Sequence, residues 1–254
     1  MNGEILKYII VCPLLFLAGF VDSIAGGGGL ISLPAYLIAG LPSHCAIATN
    51  KLSSAIGTSV STANYIRSGF VNWRIAILCV VTAFIGSSIG AHFSLMIKES
   101  VLKTIMLFLI PVSAVVVMKS KALISEKEEL GRGKTLLIAV ISALIIGAYD
   151  GFYGPGTGTF LLLSLTVFAR LKLTTANGVT KVINLTSNVA ALTVFLINGQ
   201  GMIPLGIAAG VCNGAGNWLG SQKFISDGVK IVKPIMLSVL AVFFIKVIYE
   251  LLTS

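Results

Sequence analysis

Apolar segments dominate the chain and are separated by short polar loops. Ten of them can be distinguished, five before a charged stretch and five after it. Because a membrane-crossing helix needs about 20 predominantly apolar residues, most of these segments predict transmembrane helices. The second segment of each group is shorter and begins in a glycine-rich break, so it is either a short crossing beside a cavity or a re-entrant element. The segments lie at 5–21, 26–40, 46–66, 74–95 and 101–118, and at 135–149, 156–169, 176–197, 203–221 and 231–252.

The composition agrees with this interpretation. Hydrophobic residues make up 56% of the 254 residues and charged residues 11%, whereas a soluble domain carries about 25% charged residues. One soluble core cannot bury so much apolar surface, which excludes a soluble enzyme, a nucleic-acid-binding module and a disordered chain. The formal net charge of +9 comes mainly from Lys and Arg in short loops. We therefore predict an all-α polytopic membrane protein that is embedded in a lipid bilayer and has no nucleic-acid partner.

An internal repeat organises the sequence into two homologous halves. Asp22 and Asp150 each end a Gly-x-x-Asp motif and directly follow the first apolar segment of their half. Lys51 and Lys181 each lie early in the third segment. The offset is 150 − 22 = 128 at the aspartates and 181 − 51 = 130 at the lysines, and it then holds to the end of the chain. Such a sustained register indicates a duplication. The predicted units are a first transmembrane repeat at 1–118, a charged linker at 119–134 and a second transmembrane repeat at 135–254.

The distribution of Lys and Arg predicts how the halves are oriented. If all ten segments cross and the linker is cytoplasmic, 12 of these residues lie on the cytoplasmic side and 3 on the other. If the short second segments are re-entrant, the counts are 8 and 7, so the positive-inside rule favours ten crossings. Five crossings in each half give the halves opposite orientations, which is the inverted repeat of many secondary transporters. We expect a multi-pass protein of the plasma (inner) membrane with a cytoplasmic linker and both termini outside.

Small residues predict where helices approach closely. Gly86 and Gly90 and, one repeat later, Gly216 and Gly220 form Gly-x-x-x-Gly pairs, which are typical of contacts between membrane helices. Three further glycines are expected to extend the face of the second pair, namely Gly206, Gly210 and Gly214.

Once the loops and chain ends are set aside, five ionisable residues are expected within the membrane, and four of them form two repeat-related pairs, Asp22 with Asp150 and Lys51 with Lys181. The fifth, Lys246, lies near the end of the last segment and is expected to extend its ammonium towards the membrane surface. A charge in hydrocarbon costs at least about 2.5–3.5 kcal/mol on insertion scales, so such residues usually mark a solute or ion pathway. Polar residues follow each lysine on one helical face. This stripe either lines a wet path or merely lets helices approach closely. It comprises Ser54, Thr58, Ser61 and Tyr65 after Lys51, and Asn184 and Asn188 after Lys181.

The glycine-rich breaks complete a predicted anion site. A helix N-terminus offers unpaired N–H groups and about half a positive charge, and glycine lets the backbone itself face a ligand. Two lysines and two helix N-termini, related by a pseudo-twofold axis, predict a small-anion site between the halves. In the alternative interpretation the glycines are only packing kinks. The predicted binding residues are Lys51, Lys181, Asn50, Thr180, Ser54, Asn184, Gly26, Gly27, Gly28, Gly29, Gly154, Gly156 and Gly158.

The sequence leaves three roles open for Asp22 and Asp150. They either carry protons coupled to anion movement, or neutralise Lys51 and Lys181 in ion pairs while the site is empty, or cap the short helices that follow. No cysteine spacing predicts a metal site, and neither a metal nor a cofactor is expected.

Both halves resemble one known family. The blocks AGFVDSIAGGGG at 18–29 and TNKLSSAIGT at 49–58, with YDGFYGPGTGT at 149–159 and TTANGVTKVINLTSN at 174–188, are similar to the signature blocks of the TauE/SafE sulfite exporter family. The resemblance covers essentially the whole chain and implies export of small sulfur oxyanions or organosulfonates, such as sulfite or sulfoacetate-like compounds. The signature residues fall on Asp22, Gly26–Gly29, Asn50 and Lys51, and on Asp150, Gly154–Gly158, Thr180 and Lys181. Because Thr180 stands where the first half has Asn50, the two half-sites are not equivalent.

The leading hypothesis is a secondary transporter of small anions that works by alternating access between the inverted repeats, with proton coupling as an option. The sequence contains no GxxxxGK[ST] motif, so the chain itself does not hydrolyse ATP, and no enzymatic activity is predicted. A passive anion channel is the alternative. An intramembrane aspartyl protease using Asp22 and Asp150 is a third hypothesis, since two carboxylates can share a proton. A small anionic solute is the expected partner, and a homodimer is one option for the assembly.

Overall fold

The computed structural model describes residues 3–102, 104–105 and 130–231. In these residues the chain is helical between its loops and contains no β-strand. The fifth predicted segment of each half lies outside the described residues except at its start, as does most of the linker. The helices are α1 (Gly3–Ala25), α2 (Gly29–Ile38), α3 (Ser43–Arg67), α4 (Trp73–Met96), α5 (Arg132–Phe152), α6 (Thr157–Leu163), α7 (Leu173–Ile197) and α8 (Ile203–Asp227). A π-helical turn (Ser164–Phe168) continues α6, and a 3-10 turn (Gly228–Ile231) follows α8.

The first four predicted segments of each half coincide with helices. Four of these helices, α1, α4, α5 and α7, are long and apolar enough to cross a membrane. The other two long helices, α3 and α8, have 25 residues each but carry more polar residues. The polar residues of α3 lie mainly on its buried face, where other helices cover them. Its composition is therefore less apolar than that of a helix whose surface faces lipid.

The short helices α2 and α6 both start at the glycine-rich breaks, and the two breaks touch. The backbone N–H of Thr159 donates a 3.1 Å hydrogen bond to the carbonyl of Gly26, and its hydroxyl donates a 2.9 Å bond to the carbonyl of Ala25. A β-carbon on Gly26 would come within 2.2 Å of the backbone of Gly158. The absence of side chains at both positions therefore allows the two breaks to pack directly against each other.

The long helices pack in two related sets. Helix α1 packs against α8 and α5 packs against α4, while α3 contacts α8 and α7 contacts α4. In addition, α3 and α7 contact each other. When the four helices α1–α4 of the first half are matched in order to α5–α8 of the second, every contact in one set corresponds to a contact in the other. The central position belongs to α3 and α7, the helices that carry the two lysines.

Glycines set the closest helix contacts, as the sequence predicts. A β-carbon on Gly90 would lie 1.9 Å from the carbonyl oxygen of Ala148 in α5, and one on Gly216 would lie 2.0 Å from the carbonyl oxygen of Phe16 in α1. Both Gly-x-x-x-Gly predictions are therefore confirmed. The expectation that Gly206, Gly210 and Gly214 extend the second face is wrong. Gly206 and Gly210 face Leu52 and Ile56 of α3 instead, because α8 is wedged between α1 and α3.

Apolar and charged side chains are distributed in the reverse of a soluble protein. Large hydrophobic residues are exposed along the outer helices, for example Ile85 and Phe93 of α4 and Ile145 of α5. Lys51 and Lys181, in contrast, are among the largest fully buried side chains in the described residues. This arrangement suits a lipid environment, where the outer surface must be apolar and buried charge must be compensated inside the bundle.

Candidate functional site

A small polar cavity that is open to the outside lies where the glycine-rich breaks meet the central helices. Its lining comes from the end of α1, the start of α2, the break before α6 and the start of α6, and from polar side chains of α3, α5, α7 and α8. It is lined by Asp22, Gly26, Gly28, Gly29, Ser32, Asn50, Lys51, Ser54, Thr58, Asp150, Gly154, Thr157, Gly158, Asn184, Asn188 and Asn213.

Lys51 from α3 forms an ion pair with Asp150 from α5 in the lining of this cavity. The Lys51 Nζ lies 2.8 Å from the Asp150 Oδ1, and the two side chains are 1% and 3% exposed. The other carboxylate oxygen, Oδ2, accepts a 2.6 Å hydrogen bond from the hydroxyl of Ser187 in α7. A buried charge of this kind is tolerated because it is paired and its remaining lone pairs are hydrogen-bonded.

The repeat-related ion pair joins Lys181 from α7 to Asp22 from α1. The Lys181 Nζ lies 2.8 Å from the Asp22 Oδ2 and also donates to the backbone carbonyl of Asp22. Lys181 is 0% exposed, whereas the Asp22 side chain is 12% exposed. Asp22 lines the cavity and Lys181 does not. Each pair therefore joins a lysine of one half to an aspartate of the other. Both members of the first pair line the cavity, whereas only the aspartate of the second pair does.

Two glycines of the breaks have a direct effect on the site. The backbone of Gly154 has a positive φ of 101°, which side-chain-bearing residues rarely adopt. A β-carbon there would lie 2.8 Å from the Lys51 Nζ and 2.9 Å from the Asp150 Oδ1. In the other break, a β-carbon on Gly29 would lie 3.0 Å from the Cα of Pro155. Only glycine lets the backbone approach the first ion pair this closely.

The start of α2 brings backbone N–H groups to the cavity edge. The first hydrogen bonds of this helix run from the N–H groups of Leu30, Ile31 and Ser32 to carbonyls of Gly27 and Gly28. The N–H groups of Gly28 and Gly29 precede these bonds, so they lie outside the helix's own pattern. Because both glycines line the cavity, their backbone adds to the polar character that Lys51 gives it.

Amide and hydroxyl side chains cover the rest of the cavity wall. Asn50 is 5% exposed, and its Oδ1 atom has no hydrogen-bond partner within the described residues. Across the cavity the amide of Asn188 donates to both the carbonyl oxygen and the Oδ1 of Asn184, at 2.8 and 3.1 Å. The Asn50 Oδ1 is therefore a buried acceptor in the cavity lining that a donor group of a solute can reach.

The structure brings most, but not all, of the predicted site residues together. Of the 15 predicted residues, 11 line the cavity. The remaining four, Gly27, Gly156, Thr180 and Lys181, are not among its lining residues. The prediction of two lysines at one void therefore does not match the observed geometry. Lys51 lines the cavity, whereas the Lys181 Nζ is held away from its lining by both the carboxylate and the backbone carbonyl of Asp22. The functions of all these residues remain predictions.

The two polar stripes turn out to be only partly exposed to the cavity. Thr58 and Asn188 line it, whereas Tyr65 donates a 2.6 Å hydrogen bond to the carbonyl of Ser23 and packs among aromatic rings. Ser32 and Asn213 also line the cavity and were missed. An asparagine between the glycines of α8 was the available signal for Asn213. Over the described ranges, no group of three or more His, Cys, Asp or Glu could hold a metal ion.

Comparison with known proteins agrees with the resemblance seen in the sequence. Residues 11–247 match the family model described as Sulfite exporter TauE/SafE. The Probable membrane transporter protein ORF9 of Sinorhizobium sp. is 34% identical over 236 residues, which are 93% of this chain and 89% of that protein. The Probable membrane transporter protein YfcA of Escherichia coli K12 is 33% identical over 250 residues, which are 95% of this chain and 92% of that protein.

A Probable membrane transporter protein of Haemophilus influenzae is 31% identical over 235 residues, which are 92% of each chain. No solved structure matches this chain. The family match covers residues 11–247, and the first two relatives align with 93% and 95% of this chain. The chain therefore belongs to the sulfite exporter TauE/SafE family of membrane transporters.

Proposed function

We propose that this protein is a secondary transporter that exports small anions such as sulfite or organosulfonates. The observation that carries the proposal is the Lys51 ammonium, which lines a polar cavity inside an otherwise apolar bundle. A buried lysine is expensive in a membrane and is retained where it serves a solute or ion pathway. The match to a family described as sulfite exporters supports sulfur oxyanions as the substrate class.

The anion must compete with Asp150 for Lys51. The formal charges of Lys51, Asp150, Lys181 and Asp22 sum to zero, and each ammonium has a carboxylate 2.8 Å away. A solute anion that reaches Lys51 takes over the role of the Asp150 carboxylate. The unsatisfied Oδ1 of Asn50 favours a solute that also carries a proton or another donor group.

The crossed ion pairs support alternating access between the two halves. Each pair joins a lysine of one half to an aspartate of the other. The helix contacts have the same symmetry, because the contact of α1 with α8 corresponds to that of α5 with α4, and the contact of α3 with α8 to that of α7 with α4. An inverted repeat of five crossings per half, with the linker in the cytoplasm and the termini outside the plasma membrane, would place the cavity at the repeat interface, where substrate sites of such transporters lie.

The arrangement favours charge balance over a proteolytic dyad as the role of the aspartates. A catalytic dyad requires two carboxylates that share a proton. Here the described partners of Asp22 and Asp150 include one lysine each. The carboxylates are therefore positioned to compensate ammonium groups, and transport is the function that the geometry supports best.

Sulfite uptake into proteoliposomes tests this proposal. Lys51→Ala is expected to abolish uptake, whereas Lys223→Ala is the matched control, because Lys223 also pairs with an aspartate but is 54% exposed. Since Lys51→Ala leaves Asp150 unpaired, the charge-neutral variant Lys51→Ala with Asp150→Ala is measured too. It is expected to fold and to remain inactive. Uptake at the wild-type rate by this double variant would overturn the proposal, and uptake that does not saturate with sulfite would indicate a channel instead.

A further inference from the structure

We propose that Asp150, and not Asp22, is the proton carrier of the transporter, and that Ser187 positions its proton. The inference rests on the proposed anion transport and names a proton as the second substrate of the same site. Its basis is the hydrogen bonding of one hydroxyl group that the transport proposal itself does not use.

The hydroxyl of Ser187 faces two acceptors. It lies 2.6 Å from the Asp150 Oδ2 and 3.0 Å from the backbone carbonyl oxygen of Asn184 in the preceding helical turn. A serine hydroxyl has one proton to donate and two lone pairs to accept with. It can therefore satisfy only one of the two acceptors as a donor at any time.

This geometry accommodates both protonation states of Asp150. When Asp150 is ionised, Ser187 donates to the carboxylate. When a proton binds to the Oδ2 atom, the new O–H donates to the Ser187 oxygen, and Ser187 turns its own proton to the carbonyl of Asn184. The hydrogen bond between Ser187 and the Asp150 Oδ2 persists in both states with its direction reversed, so the change of protonation avoids the usual penalty for an unsatisfied group at these two atoms.

The repeat-related aspartate lacks this hydroxyl. With the offset of 130 residues, the counterpart of Ser187 is 187 − 130 = 57, which is Gly57. Its place beside the first half-site is taken by Asn213, whose Oδ1 would lie 1.7 Å from a β-carbon on Gly57. Asp22 is instead held by Lys181 through both its carboxylate and its backbone carbonyl. The duplication therefore left a hydroxyl that can exchange donor and acceptor roles at one aspartate only.

Charge balance links the proton to the anion. The charged groups that face the cavity in the described residues are Lys51 of α3, Asp150 of α5 and Asp22 of α1, with Lys181 of α7 bonded to Asp22. Helices α2, α4, α6 and α8 add no acid or base to this lining. An anion alone would leave the site with a net negative charge next to the displaced carboxylate, which like-charge repulsion disfavours. One proton on Asp150 together with one monovalent anion on Lys51 restores neutrality, so transport is electroneutral.

Proton uptake on sulfite binding tests the inference. Sulfite is titrated into purified wild-type protein and Asp150→Asn in weakly buffered solution at pH 6, 7 and 8, with a pH-indicating dye. Because sulfite's own protonation is the same in both experiments, the difference between the proteins reports on Asp150. The wild type is expected to take up about one proton more per bound sulfite, and its affinity to fall up to about tenfold more steeply per pH unit. Equal proton uptake by both proteins would overturn the inference while leaving anion binding intact.

Ser187 variants separate a positioning role from a structural one. Ser187→Ala removes the donor to the ionised carboxylate, so the midpoint of the pH dependence of sulfite binding is expected to move about one pH unit towards alkaline pH. Ser187→Thr keeps the hydroxyl and should restore the wild-type midpoint. An unchanged midpoint in Ser187→Ala would contradict the role of Ser187. Failure of the wild type to bind sulfite at any pH would instead overturn the proposed function and this inference with it.

Discussion

Lys181→Ala is predicted to destabilise the fold far more than the loss of an exposed lysine. The substitution leaves the Asp22 carboxylate, 12% exposed, without the ammonium that lies 2.8 Å away, and it also removes the bond to the Asp22 carbonyl. Removing one partner of a buried ion pair costs about 3–5 kcal/mol. The pair of Lys223 and Asp227 lies in solvent, which screens the attraction, so its loss has little effect on stability.

Unfolding by sodium dodecyl sulfate in mixed micelles measures this difference. The wild type, Lys181→Ala and the control Lys223→Ala are compared at one pH, with helicity as the signal. A further variant, Lys181→Met with Asp22→Asn, removes both charges while keeping similar side-chain volumes, and it should regain most of the stability. It should also retain sulfite uptake, because the Lys181 ammonium does not line the cavity and Asn keeps a polar side chain of similar size at Asp22, which does. A loss of stability in Lys181→Ala no greater than in Lys223→Ala would refute the anchoring role of Lys181.

Two further predictions concern a glycine of the cavity and an acid outside it. Gly154→Ala places a β-carbon 2.8 Å from the Lys51 Nζ, so we expect at least about a tenfold loss of sulfite affinity, measured by titration calorimetry. The control Gly133→Ala meets nothing within 4 Å and should bind normally. Beyond the end of α4, partial burial raises the pKa of Glu99, but hydrogen bonds from Ser43 and His44 outweigh this and hold its pKa below the ordinary value of 4.5. Its stabilising effect is therefore present above pH 4.5 and lost as the pH falls through the lowered pKa. Melting curves should show this acid-dependent loss in the wild type and not in Glu99→Gln, and equal curves would contradict it.

Helical segments were accessible from sequence because apolar length and glycine breaks are local properties. The helix at Trp73–Met96 matches the predicted 74–95 closely, and the start of α5 at Arg132 extends the predicted segment by 3 residues. The contact faces of α8 were less accessible. Every third or fourth residue of that helix is small, so the sequence could not indicate which glycines face α1 and which face α3. Packing against both neighbours decides the rotation of the helix.

The pairing of charges shows where the repeat was informative and where it misled. The similar spacing of Asp and Lys in the two halves, 51 − 22 = 29 and 181 − 150 = 31 residues, correctly singled out four residues that form two buried ion pairs. The same symmetry suggested that both lysines share one void. Differences between the repeats break this equivalence, because the repeat counterpart of Ser187 is Gly57 and the counterpart of Thr180 is Asn50. Which ammonium lines the cavity depends on side-chain directions that a repeat pattern does not contain.

The central claim is that a small anion replaces Asp150 on the Lys51 ammonium. Selenite is a heavier analogue of sulfite whose selenium atom can be located by anomalous X-ray scattering in crystals of the transporter. The account predicts one bound selenite within hydrogen-bond distance of the Lys51 Nζ, with the Asp150 Oδ1 moved away from its 2.8 Å contact and the Lys181–Asp22 pair unchanged. A selenite bound elsewhere while the Lys51–Asp150 pair stays intact would contradict it.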